Sequence, residues 1–434
     1  MPGVVIVGAQ FGDEGKGKMT DYLAGRAECV VRYQGGNNAG HTVVIGGHEF
    51  RLHIIPSGIF YPEKVCVIGN GMVIDPEVLF QELDDLLNKG LKLARLYISD
   101  RAHLLMPYHL RLDEAEENYR GAGRIGTTRR GIGPAYTDKV ARLGFRTGEL
   151  LEPGWEKRLE AMTLEKNRIL EQFYGSKGCE PELVIDLMRR YAERLRPFLT
   201  DTSLVLAEMA ARGKRILYEG AQGTMLDIDH GTYPFVTSSS PTAGGACIGA
   251  GVGPTAINLV LGVCKAYLTR VGEGIFPTDL DGPVGEEIRD RGREFGTTTG
   301  RARRCGWIDL VMLRYAARVN GLDGLLITKL DVLDSFPAIR MCNAYNCSGS
   351  TIREFPASQQ FLQSCEPVYE DMEGWQQDTS GVRRYEDLPA AARRFIERIS
   401  EVTGLPVMAI SVGPDREQTI MLQELSRMAH KGSF

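Results

Sequence analysis

The chain has 434 residues, enough for one large hydrophobic core or two ordinary ones. Its apolar fraction of 43% and charged fraction of 25% are typical of a soluble globular protein, and no apolar run approaches the length of a membrane span. The net charge of −5 offers no general attraction to nucleic acid or anionic membranes, so any anion-binding site must be local.

The cysteines and the start of the chain bear on the cellular compartment. The nine cysteines form no C-x-x-C pair, and no histidine lies near Cys342 and Cys347, so zinc is not expected. The first glycine motif begins almost at the initiator methionine, which leaves no room for a targeting segment. We therefore expect reduced thiols and a cytoplasmic protein.

The first motif predicts a strand, a glycine-rich loop and a helix. Val4 to Val7 form a β-branched run, glycines follow at 8, 12, 15 and 17, and apolar residues then recur at helical spacing. Such a turn directs backbone N–H groups and a helix N-terminus at one point, which suits phosphate oxygens. Gly12 to Lys18 satisfies G-x-x-x-x-G-K, but Met19 replaces the hydroxyl residue that would bind Mg²⁺, and Asp13 lies inside the loop. We favour phosphate binding over a turn that serves only packing.

A second glycine-rich loop follows the next predicted strand, Cys29 to Tyr33. This loop, Gln34 to Thr42, contains Asn38 and His41, and the chain continues into a strand at Val43 to Ile45. Because loops at strand ends form the sites of α/β proteins, we favour a functional role for His41 over a structural one.

Strands and helices alternate through the first half of the chain. Val65 to Ile68 predicts a further strand, and Pro76 to Asn88 predicts a helix with one apolar face. This alternation predicts an α/β fold with a largely parallel sheet. Residues 154–175 and 181–198 predict two amphipathic helices, to which we assign no chemistry.

Glycines, hydroxyls and cationic side chains are concentrated between Arg120 and Arg146, a stretch that includes Thr128 and Arg142. This composition suits neither a core helix nor a core strand. It fits a solvated basic loop, and it also fits a loop that contacts an anion through arginine forks. Nucleic acid is the weaker partner, because aromatic residues are not interleaved and the chain is acidic overall.

A short strand is predicted at Ile216 to Tyr218, and the loop behind it contains Gln222. Asp227, Asp229 and His230 could hold a metal ion or cap a turn, and we favour the turn. The glycine-rich segment 242–254 is expected to be irregular, and residues 255–263 to form a helix.

Two motifs in the last third of the chain suggest ligand contacts. Threonines, glycines and arginines cluster between Phe295 and Trp307, and clustered arginines repel one another unless an anion is present. A dianionic or zwitterionic ligand is therefore favoured over a surface patch. The strand that begins at Leu325 ends in T-K-L-D, where Asp331 could accept hydrogen bonds from guanine while the stem of Lys329 covers the ring.

The remaining segments divide the chain no further. Residues 339–380 predict strands and loops, and Pro406 to Ile410 predicts a late strand. Since no repeat, low-complexity tract or linker is present, residues 1–434 are expected to form a single elaborated domain.

Several long motifs occur in the order that is typical of one family. They are Q-F-G-D-E-G-K-G-K, R-Y-Q-G-G-N-N-A-G-H-T, G-T-T-R-R-G-I-G-P-A-Y, E-G-A-Q-G-T-M-L-D-I-D-H-G-T-Y-P, T-T-G-R-A-R-R and T-K-L-D. With them the sequence resembles the adenylosuccinate synthetase family from Val4 to about Arg416. The resemblance implies an α/β fold with a large, mostly parallel central sheet flanked by helices, P-loop-like, with extra helical and β insertions.

The resemblance implies a GTP-dependent C–N ligase that joins IMP and L-aspartate to adenylosuccinate, the first committed step from IMP to AMP. Asp13 would take the N1 proton of IMP, so that O6 attacks the γ-phosphate of GTP and forms 6-phosphoryl-IMP. The amine of aspartate would then displace phosphate. His41 would donate a hydrogen bond or a proton to the transferring phosphoryl group, and Gln222 is also expected at the catalytic centre. Asp13 and the Gly40 carbonyl would hold one Mg²⁺ per subunit.

The resemblance also implies three sets of ligand contacts. The residues that would bind GTP are Gly12, Asp13, Glu14, Gly15, Lys16, Gly17, Lys18, Gly40, His41, Thr42, Arg303, Lys329, Leu330, Asp331, Ser411, Val412 and Gly413. The residues that would bind IMP are Asp13, Glu14, Gly15, Lys16, Asn38, Ala39, Gly40, His41, Thr128, Arg142, Gln222, Thr237 and Arg301. The residues that would bind aspartate are Thr297, Thr298, Thr299, Gly300, Arg301, Ala302 and Arg303. Arg142 would reach the neighbouring subunit's IMP, which implies a homodimer.

Two other classes of protein compete with a GTP-dependent ligase. A regulatory GTPase would also carry T-K-L-D and a phosphate loop, but the arginine segment at 301–304 and Asp13 inside the loop favour small-molecule chemistry. A dinucleotide-dependent oxidoreductase would require G-x-G-x-x-G and a ribose-binding acid, and the sequence lacks both at the expected spacing.

Overall fold

The computed structural model describes residues 3–45, 48–296 and 300–423. Its strands are β1 (Gly3–Gly8), β2 (Cys29–Arg32), β3 (His41–Ile45), β4 (His48–Leu52), β5 (Val65–Ile68), β6 (Val73–Ile74), β7 (Arg95–Ser99), β8 (His103–Leu104), β9 (Leu199–Thr200), β10 (Ile216–Glu219), β11 (Ile257–Lys265), β12 (Tyr267–Arg270), β13 (Arg304–Asp309), β14 (Gly324–Thr328), β15 (Ala338–Cys347), β16 (Ser350–Ile352), β17 (Cys365–Glu373), β18 (Val407–Ser411) and β19 (Thr419–Met421). Its α-helices are α1 (Lys16–Ala24), α2 (Pro76–Asn88), α3 (Pro107–Arg120), α4 (Ile132–Ala141), α5 (Trp155–Arg168), α6 (Pro181–Leu195), α7 (Thr202–Ala211), α8 (Ala243–Ala250), α9 (Pro283–Gly292), α10 (Leu310–Asn320), α11 (Gln359–Gln363) and α12 (Ala390–Thr403).

A ten-stranded sheet forms the centre of the molecule, in the order β19-β18-β14-β11-β1-β10-β2-β5-β7-β9. Neighbouring strands are parallel except for the antiparallel edge pair β18 and β19. Within β1, Val5 and Val7 pack into one hydrophobic cluster and Ile6 into another, so both faces of the sheet are covered. The predicted α/β fold with a large, mostly parallel sheet is confirmed.

A smaller sheet in the order β12-β13-β15-β16, with β17 also paired to β15, supplies the β insertion. Here the antiparallel register of β15 and β17 places Cys347 opposite Cys365, with Cα atoms 4.3 Å apart, and a disulfide joins them. The prediction of reduced thiols is therefore wrong for this pair, because residues 18 positions apart become neighbours only through strand pairing. The other seven cysteines are free thiols.

Most predicted elements are confirmed, but three expectations are wrong. The stretch 120–146, expected to be a loop unsuited to a core helix, contains α4, whose Ile132, Ala135 and Tyr136 are buried in a hydrophobic cluster. The other two errors are adjacent in the chain. The segment 242–254, expected to be irregular, contains α8, and residues 255–263, expected to be helical, lie mostly in β11. The glycines of α8 allow close packing: a Cβ at Gly249 would lie 2.0 Å from the carbonyl oxygen of Tyr33. Because β11 is a central strand with both faces buried, its apolar run lacks the alternation that distinguishes a strand from a helix.

No helix among the described residues is long and apolar enough to cross a membrane.

Candidate active site

The parallel sheet brings the predicted motifs to one edge. Parallel strands have their carboxyl ends at the same side, which is where α/β proteins bind ligands. The phosphate loop follows β1, the Gln222 loop follows β10, and the His41 loop follows β2. On the other side of β1, Lys265 ends β11, Lys329 follows β14, and Ser411 ends β18. Motifs that lie hundreds of residues apart in sequence therefore share one edge.

Glu14 shapes the phosphate loop from inside. Its fully buried carboxylate accepts hydrogen bonds from the backbone N–H groups of Gln10 and Gly12, at 3.0 and 2.9 Å, and from Lys16 Nζ at 2.5 Å. Gly15 then turns the backbone with a φ of 81°, and α1 begins at the next residue. Hydrogen bonds to the Glu14 carboxylate thus hold the loop in its shape without a ligand.

Met19, the apparent defect of the motif, faces the core. It is buried in a hydrophobic cluster with Ile6 and Leu23, on the face of α1 that packs against the sheet. A side chain in this position contributes to packing, so the hydroxyl ligand of an ordinary P-loop has no counterpart there.

Asp13 lies at the tip of the same loop, in a left-handed conformation with a φ of 58°. Its side chain keeps 35% of its surface exposed, and Arg303 Nε approaches its Oδ2 at 3.1 Å. A non-glycine residue in this backbone region is uncommon and is often found at functional sites. The carboxylate is therefore the part of the loop that faces outward.

Lys18 joins the phosphate loop to the end of β18. Its ammonium donates to Ser411 Oγ at 2.6 Å and to the carbonyl oxygens of Gly413 and Gln418 at 2.7 and 3.1 Å. Burial lowers the pKa of Lys18 to about 8, although Asp331 and Asp415 act in the opposite direction. The structure thus directs this predicted GTP ligand toward the predicted guanine segment.

His41 is held as a neutral imidazole. Arg32 Nη1 lies 3.0 Å from its Nδ1, and because a guanidinium has only donors, Nδ1 accepts and the proton resides on Nε2. Burial, together with the charge of Arg32, lowers the pKa of His41 to about 3. Its Nε2 makes no hydrogen bond with any described residue and lies 3.7 Å from Glu219 Oε1.

Arg32 and Glu219 were not singled out by the sequence analysis. They end β2 and β10, respectively, and lie 3.5 Å apart in the interior. The available signal was a charged residue at the carboxyl end of an otherwise apolar strand. Because such a charge is costly to bury unless it is paired, it indicates a partner on a neighbouring strand.

Gln222 connects the loops that follow β10 and β2. It has a φ of 54°, and its Nε2 donates to Asn38 Oδ1 at 3.2 Å. Its Oε1 is buried and has no hydrogen-bond partner in the described part of the chain. Ala39, Gly40 and Thr42 continue the loop after Asn38 into β3. Nearby in sequence after β10, Thr237 Oγ1 lies 3.3 Å from Ser239 Oγ.

Two buried carboxylates of α3 shape the loop that contains Thr128. Glu117 accepts the backbone N–H groups of Gly126 and Thr127, at 2.8 and 3.1 Å, and Asp113 accepts the Thr127 hydroxyl at 2.7 Å. Thr128 follows directly and is half-buried. The carboxylates of α3 thus hold the basic loop in place, and Thr128 lies partly exposed next to the residues that they bind.

Arg142 caps the end of α4 with a φ of 65° and is exposed. Its side chain makes no hydrogen bond or ion pair with any residue in the three described ranges. An exposed guanidinium without an internal partner is free to contact another molecule.

Asp227 caps a turn, as favoured from the sequence. Its Oδ1 accepts the backbone N–H groups of Asp229 and His230, at 2.9 and 3.0 Å, and its Oδ2 accepts the Thr242 hydroxyl at 3.1 Å. Within the described ranges, no group of three or more His, Cys, Asp or Glu side chains could hold a metal ion.

Carboxylates of the protein itself already contact part of the arginine segment. Thr297, Thr298 and Thr299 lie outside the described residues, and Gly300, Arg301 and Ala302 precede a buried Arg303. Arg304 contacts Asp279 Oδ2 at 2.6 Å, and Arg303 Nη1 contacts Glu294 Oε2 at 2.5 Å. The premise that these arginines need an external anion is therefore incomplete, because carboxylates of the chain already face two of them.

Glu294 is the centre of a buried polar cluster that the sequence analysis missed. Its carboxylate accepts from Tyr267 OH at 2.5 Å, Lys329 Nζ at 2.7 Å, Lys265 Nζ at 3.1 Å and Arg303 Nη1 at 2.5 Å. Burial would raise the pKa of Glu294, but the three surrounding cations hold it well below its usual range. Lys265, at the end of the apolar strand β11, was the feature of the sequence that could have indicated this cluster, because a buried lysine is normally paired.

Asp331 has the opposite environment. It lies in the single turn Leu330–Leu333 after β14, and its Oδ1 is buried with no hydrogen-bond partner among the described residues. Burial raises the pKa of Asp331. Because unpaired buried acceptors are costly, this oxygen indicates a place where a ligand donates.

Comparison with known proteins agrees with the motifs. A family model described as adenylosuccinate synthetase matches residues 5–420. The adenylosuccinate synthetase of Heliobacterium modesticaldum is 58% identical over 425 residues, which cover 98% of this chain and 100% of that protein. That of Desulforamulus reducens is also 58% identical, with the same coverage of both chains.

Solved structures agree with the fold. A fully ligated adenylosuccinate synthetase from Plasmodium falciparum has a TM-score of 0.90 and 38% identity, covering 97% of this chain and 99% of its own. A succinoaminodeoxyadenylate synthetase of cyanophage S-2L, at a TM-score of 0.61 and 20% identity over 99% of this chain and 98% of its own, shares the fold. Because the family model and the relatives span nearly the whole chain, the protein belongs to the adenylosuccinate synthetase family and is a GTP-dependent ligase of purine nucleotide biosynthesis.

Proposed function

We propose that the carboxyl edge of the large sheet joins IMP and L-aspartate in two steps. Asp13 takes the N1 proton of IMP, and O6 attacks the γ-phosphorus of GTP, so that GDP leaves and 6-phosphoryl-IMP forms. The amine of aspartate then attacks C6, the C6–O6 bond breaks, phosphate leaves and the nitrogen loses a proton. Phosphoryl transfer of this kind depends on in-line positioning and charge neutralisation more than on covalent help.

The observation that carries this proposal is a set of polar atoms that lack protein partners along this edge. His41 Nε2, Gln222 Oε1 and Asp331 Oδ1 are buried and make no hydrogen bond within the described residues, and each belongs to a residue expected to contact substrate. Buried polar groups are nearly always paired in a folded protein. Several exceptions on one side of a sheet therefore support a site for polar ligands.

His41 acts in this proposal as a hydrogen-bond donor. Its pKa of about 3 keeps the imidazole neutral near neutral pH, so Nε2–H is present and no proton is released. A donor fixed by Arg32 at Nδ1 needs no reorientation when charge develops on the transferring phosphoryl group. Of the two roles considered from the sequence, a hydrogen bond is therefore favoured over proton donation.

The GTP site lies on the β14 and β18 side of the phosphate loop. The unpaired Asp331 oxygen would accept from N1–H and N2–H₂ of guanine, a donor pair that adenine does not offer. Ser411, Val412 and Gly413, bonded to Lys18, would form the rest of the base site. Backbone N–H groups of the loop and the N-terminus of α1 would contact the phosphates.

The remaining predicted contacts would bind the other two substrates. Asn38, Thr128, Gln222, Thr237 and Arg301 would contact IMP, and the segment 297–303 would bind the carboxylates of aspartate. Arg142, exposed at the end of α4, would reach the IMP phosphate of a neighbouring subunit. This role of Arg142 requires a homodimer, which we propose. We also propose that each chain forms a single domain and that the protein is cytoplasmic.

The donor set at Asp13 suits magnesium. Mg²⁺ prefers oxygen ligands and is commonly bound by one or two carboxylates together with substrate phosphates. The outward carboxylate of Asp13 and the backbone carbonyl of Gly40 are of this kind, so we propose that they would hold the ion. When bound, the ion would neutralise phosphate charge.

One assay tests the proposed reaction. The protein is mixed with GTP, IMP, aspartate and Mg²⁺, and the ultraviolet change that accompanies adenylosuccinate formation is followed. We expect the signal to require all three substrates. Hydrolysis of GTP without IMP or aspartate, with no adduct formed, would contradict the proposal and favour a regulatory GTPase.

A further inference from the structure

We propose that Glu294 is a positioning residue that holds Arg303 and Lys329 in place together, so that one carboxylate sets both the GTP site and the aspartate site. The inference rests on the proposed roles of those two cations. Glu294 itself would touch no substrate, because its side chain is completely buried.

The contacts divide between the two carboxylate oxygens. Oε1 accepts from Lys265, Tyr267 and Lys329, and Oε2 accepts from Arg303. The backbone adds a second connection, since the N–H of Arg303 donates to the carbonyl oxygen of Glu294 at 2.9 Å. Arg303 is therefore fixed by both the side chain and the backbone of one residue.

Lys329 is held in a similar way. Its ammonium donates to Glu294 Oε1 at 2.7 Å and to the carbonyl oxygen of Gly292 at 2.8 Å. Its backbone turns directly after β14, with a φ of 56°. A displaced Glu294 would thus remove a carboxylate contact from Lys329 and from Arg303 at the same time.

The side chains around Glu294 differ in their solvent exposure. Lys265 and Glu294 retain 0% of their side-chain surface exposed, whereas Lys329 retains 30% and Asp13, which forms an ion pair with Arg303, retains 35%. The fully buried Lys265 holds Glu294 in place. The partly exposed Lys329, and Arg303 beside Asp13, face the region where ligands would bind. A cluster needed only for stability would gain more from apolar packing, because buried ion pairs add little net stability.

Kinetics of Glu294→Gln test the inference in the full-length protein. Without the negative charge, Asp13 is the one carboxylate partner that Arg303 keeps among the described residues, and Lys329 loses its ion pair with Glu294. We expect the KM values for GTP and aspartate each to rise about tenfold or more, the effect of losing a hydrogen bond to a charged group. The KM for IMP should change less than about twofold, because none of the four side chains that donate to Glu294 is a proposed IMP contact.

Double-mutant cycles provide the readout that a structural role would not move. The effect of Glu294→Gln on the KM for GTP should be clearly smaller when Lys329→Met is already present, and the remainder should come from Arg303, the other proposed GTP contact that Glu294 holds. The effect of Glu294→Gln on the KM for aspartate should largely disappear in the presence of Arg303→Met. Full additivity in both cycles would overturn the inference.

Asp309→Asn is the matched control. Asp309 is a buried carboxylate that accepts a tyrosine hydroxyl, from Tyr345 at 2.5 Å, but it lies at the far end of β13 from Arg304. It should lower stability without a selective change in the KM for GTP or aspartate. If Glu294→Gln raises all three KM values equally, as a loosened fold would, or changes none, the inference is wrong.

If Glu294→Gln does not fold, Tyr267→Phe tests the inference in its place. Tyr267→Phe removes one donor from the same carboxylate and keeps its charge, and it should raise the same two KM values by about twofold or more. Unchanged values would overturn the inference. Failure of the proposed site roles gives a different pattern, in which Arg303→Met and Lys329→Met themselves leave the KM values for aspartate and GTP unchanged.

Discussion

Glu294 and Asp331 are two carboxylates in neighbouring parts of the site, and their surroundings differ sharply. Glu294 accepts from four side chains, three of them cationic, whereas Asp331 Oδ1 has no partner among the described residues. The first carboxylate is already satisfied by the protein and can only organise it. The second is left with an acceptor that a ligand can use. Local pairing thus separates carboxylates that we propose to position other residues from those that we propose to bind a ligand.

Asp13 lies between these two cases, and its removal should have the largest effect. Within the part of the chain that the structure describes, its Oδ2 forms an ion pair with Arg303, and the side chain remains partly exposed. We expect Asp13→Ala to lower kcat by about 10²–10⁴-fold, the usual contribution of a general base, while circular dichroism shows an intact fold. Asp13→Asn, which keeps the shape, should be similarly impaired. Near-normal turnover of either variant would exclude the role as base.

Stability should distinguish the satisfied carboxylate. Removing one partner of a buried ion pair costs about 3–5 kcal/mol, so Glu294→Gln should lower the free energy of unfolding by that amount in urea denaturation. The pKa of Glu294 is lowered in the folded state, so its contribution is present above the unfolded pKa of about 4.3 and is lost as pH falls below it. The variant should lack this part of the acid transition, and an unchanged acid limb would contradict the assignment.

The unsatisfied carboxylate should affect specificity with little change in stability. Asp331→Asn replaces an acceptor by a donor, so the KM for GTP should rise about 10–100-fold and XTP should become preferred, because its second carbonyl suits an amide donor. Asp334→Asn is the control, since Asp334 accepts from Trp375 Nε1 at 2.7 Å and from the backbone N–H of Thr379 at 2.8 Å. It should lower stability without changing the base preference. An unchanged preference for GTP in Asp331→Asn would remove that residue from the guanine site.

The smallest expected effect concerns His41, which resembles Asp331 in having one unpaired atom. Because its folded pKa is about 3 against 6.5 for an ordinary histidine, the unfolded chain binds more protons between these values. The contribution of His41 to the free energy of unfolding should therefore rise with pH from about 3 to about 6.5. Nuclear magnetic resonance, with His41→Gln for assignment, should show no titration of this ring between pH 5 and 8. A midpoint near 6.5 would contradict the neutral-donor role.

Several parts of the fold could be predicted because their signals are local. The strand Val4 to Val7, the glycine loop and the helix behind it are contiguous, so hydrophobic spacing and glycine positions were sufficient. Prediction failed at β11, whose two buried faces remove the alternation that marks a strand. It also failed at α8, whose glycines reflect close packing rather than irregular structure.

By itself, the sequence determined the family, the order of the motifs and the residues proposed to carry the chemistry, because these depend on residues close together in the chain. Only the tertiary structure decided which side chains already have partners. Lys18 meets Ser411, Cys347 meets Cys365, and Glu294 meets Lys265 and Lys329 only after strands from distant segments pair. The physical reason is that strand order and register, set by packing of the whole core, determine such contacts, and no local pattern encodes them.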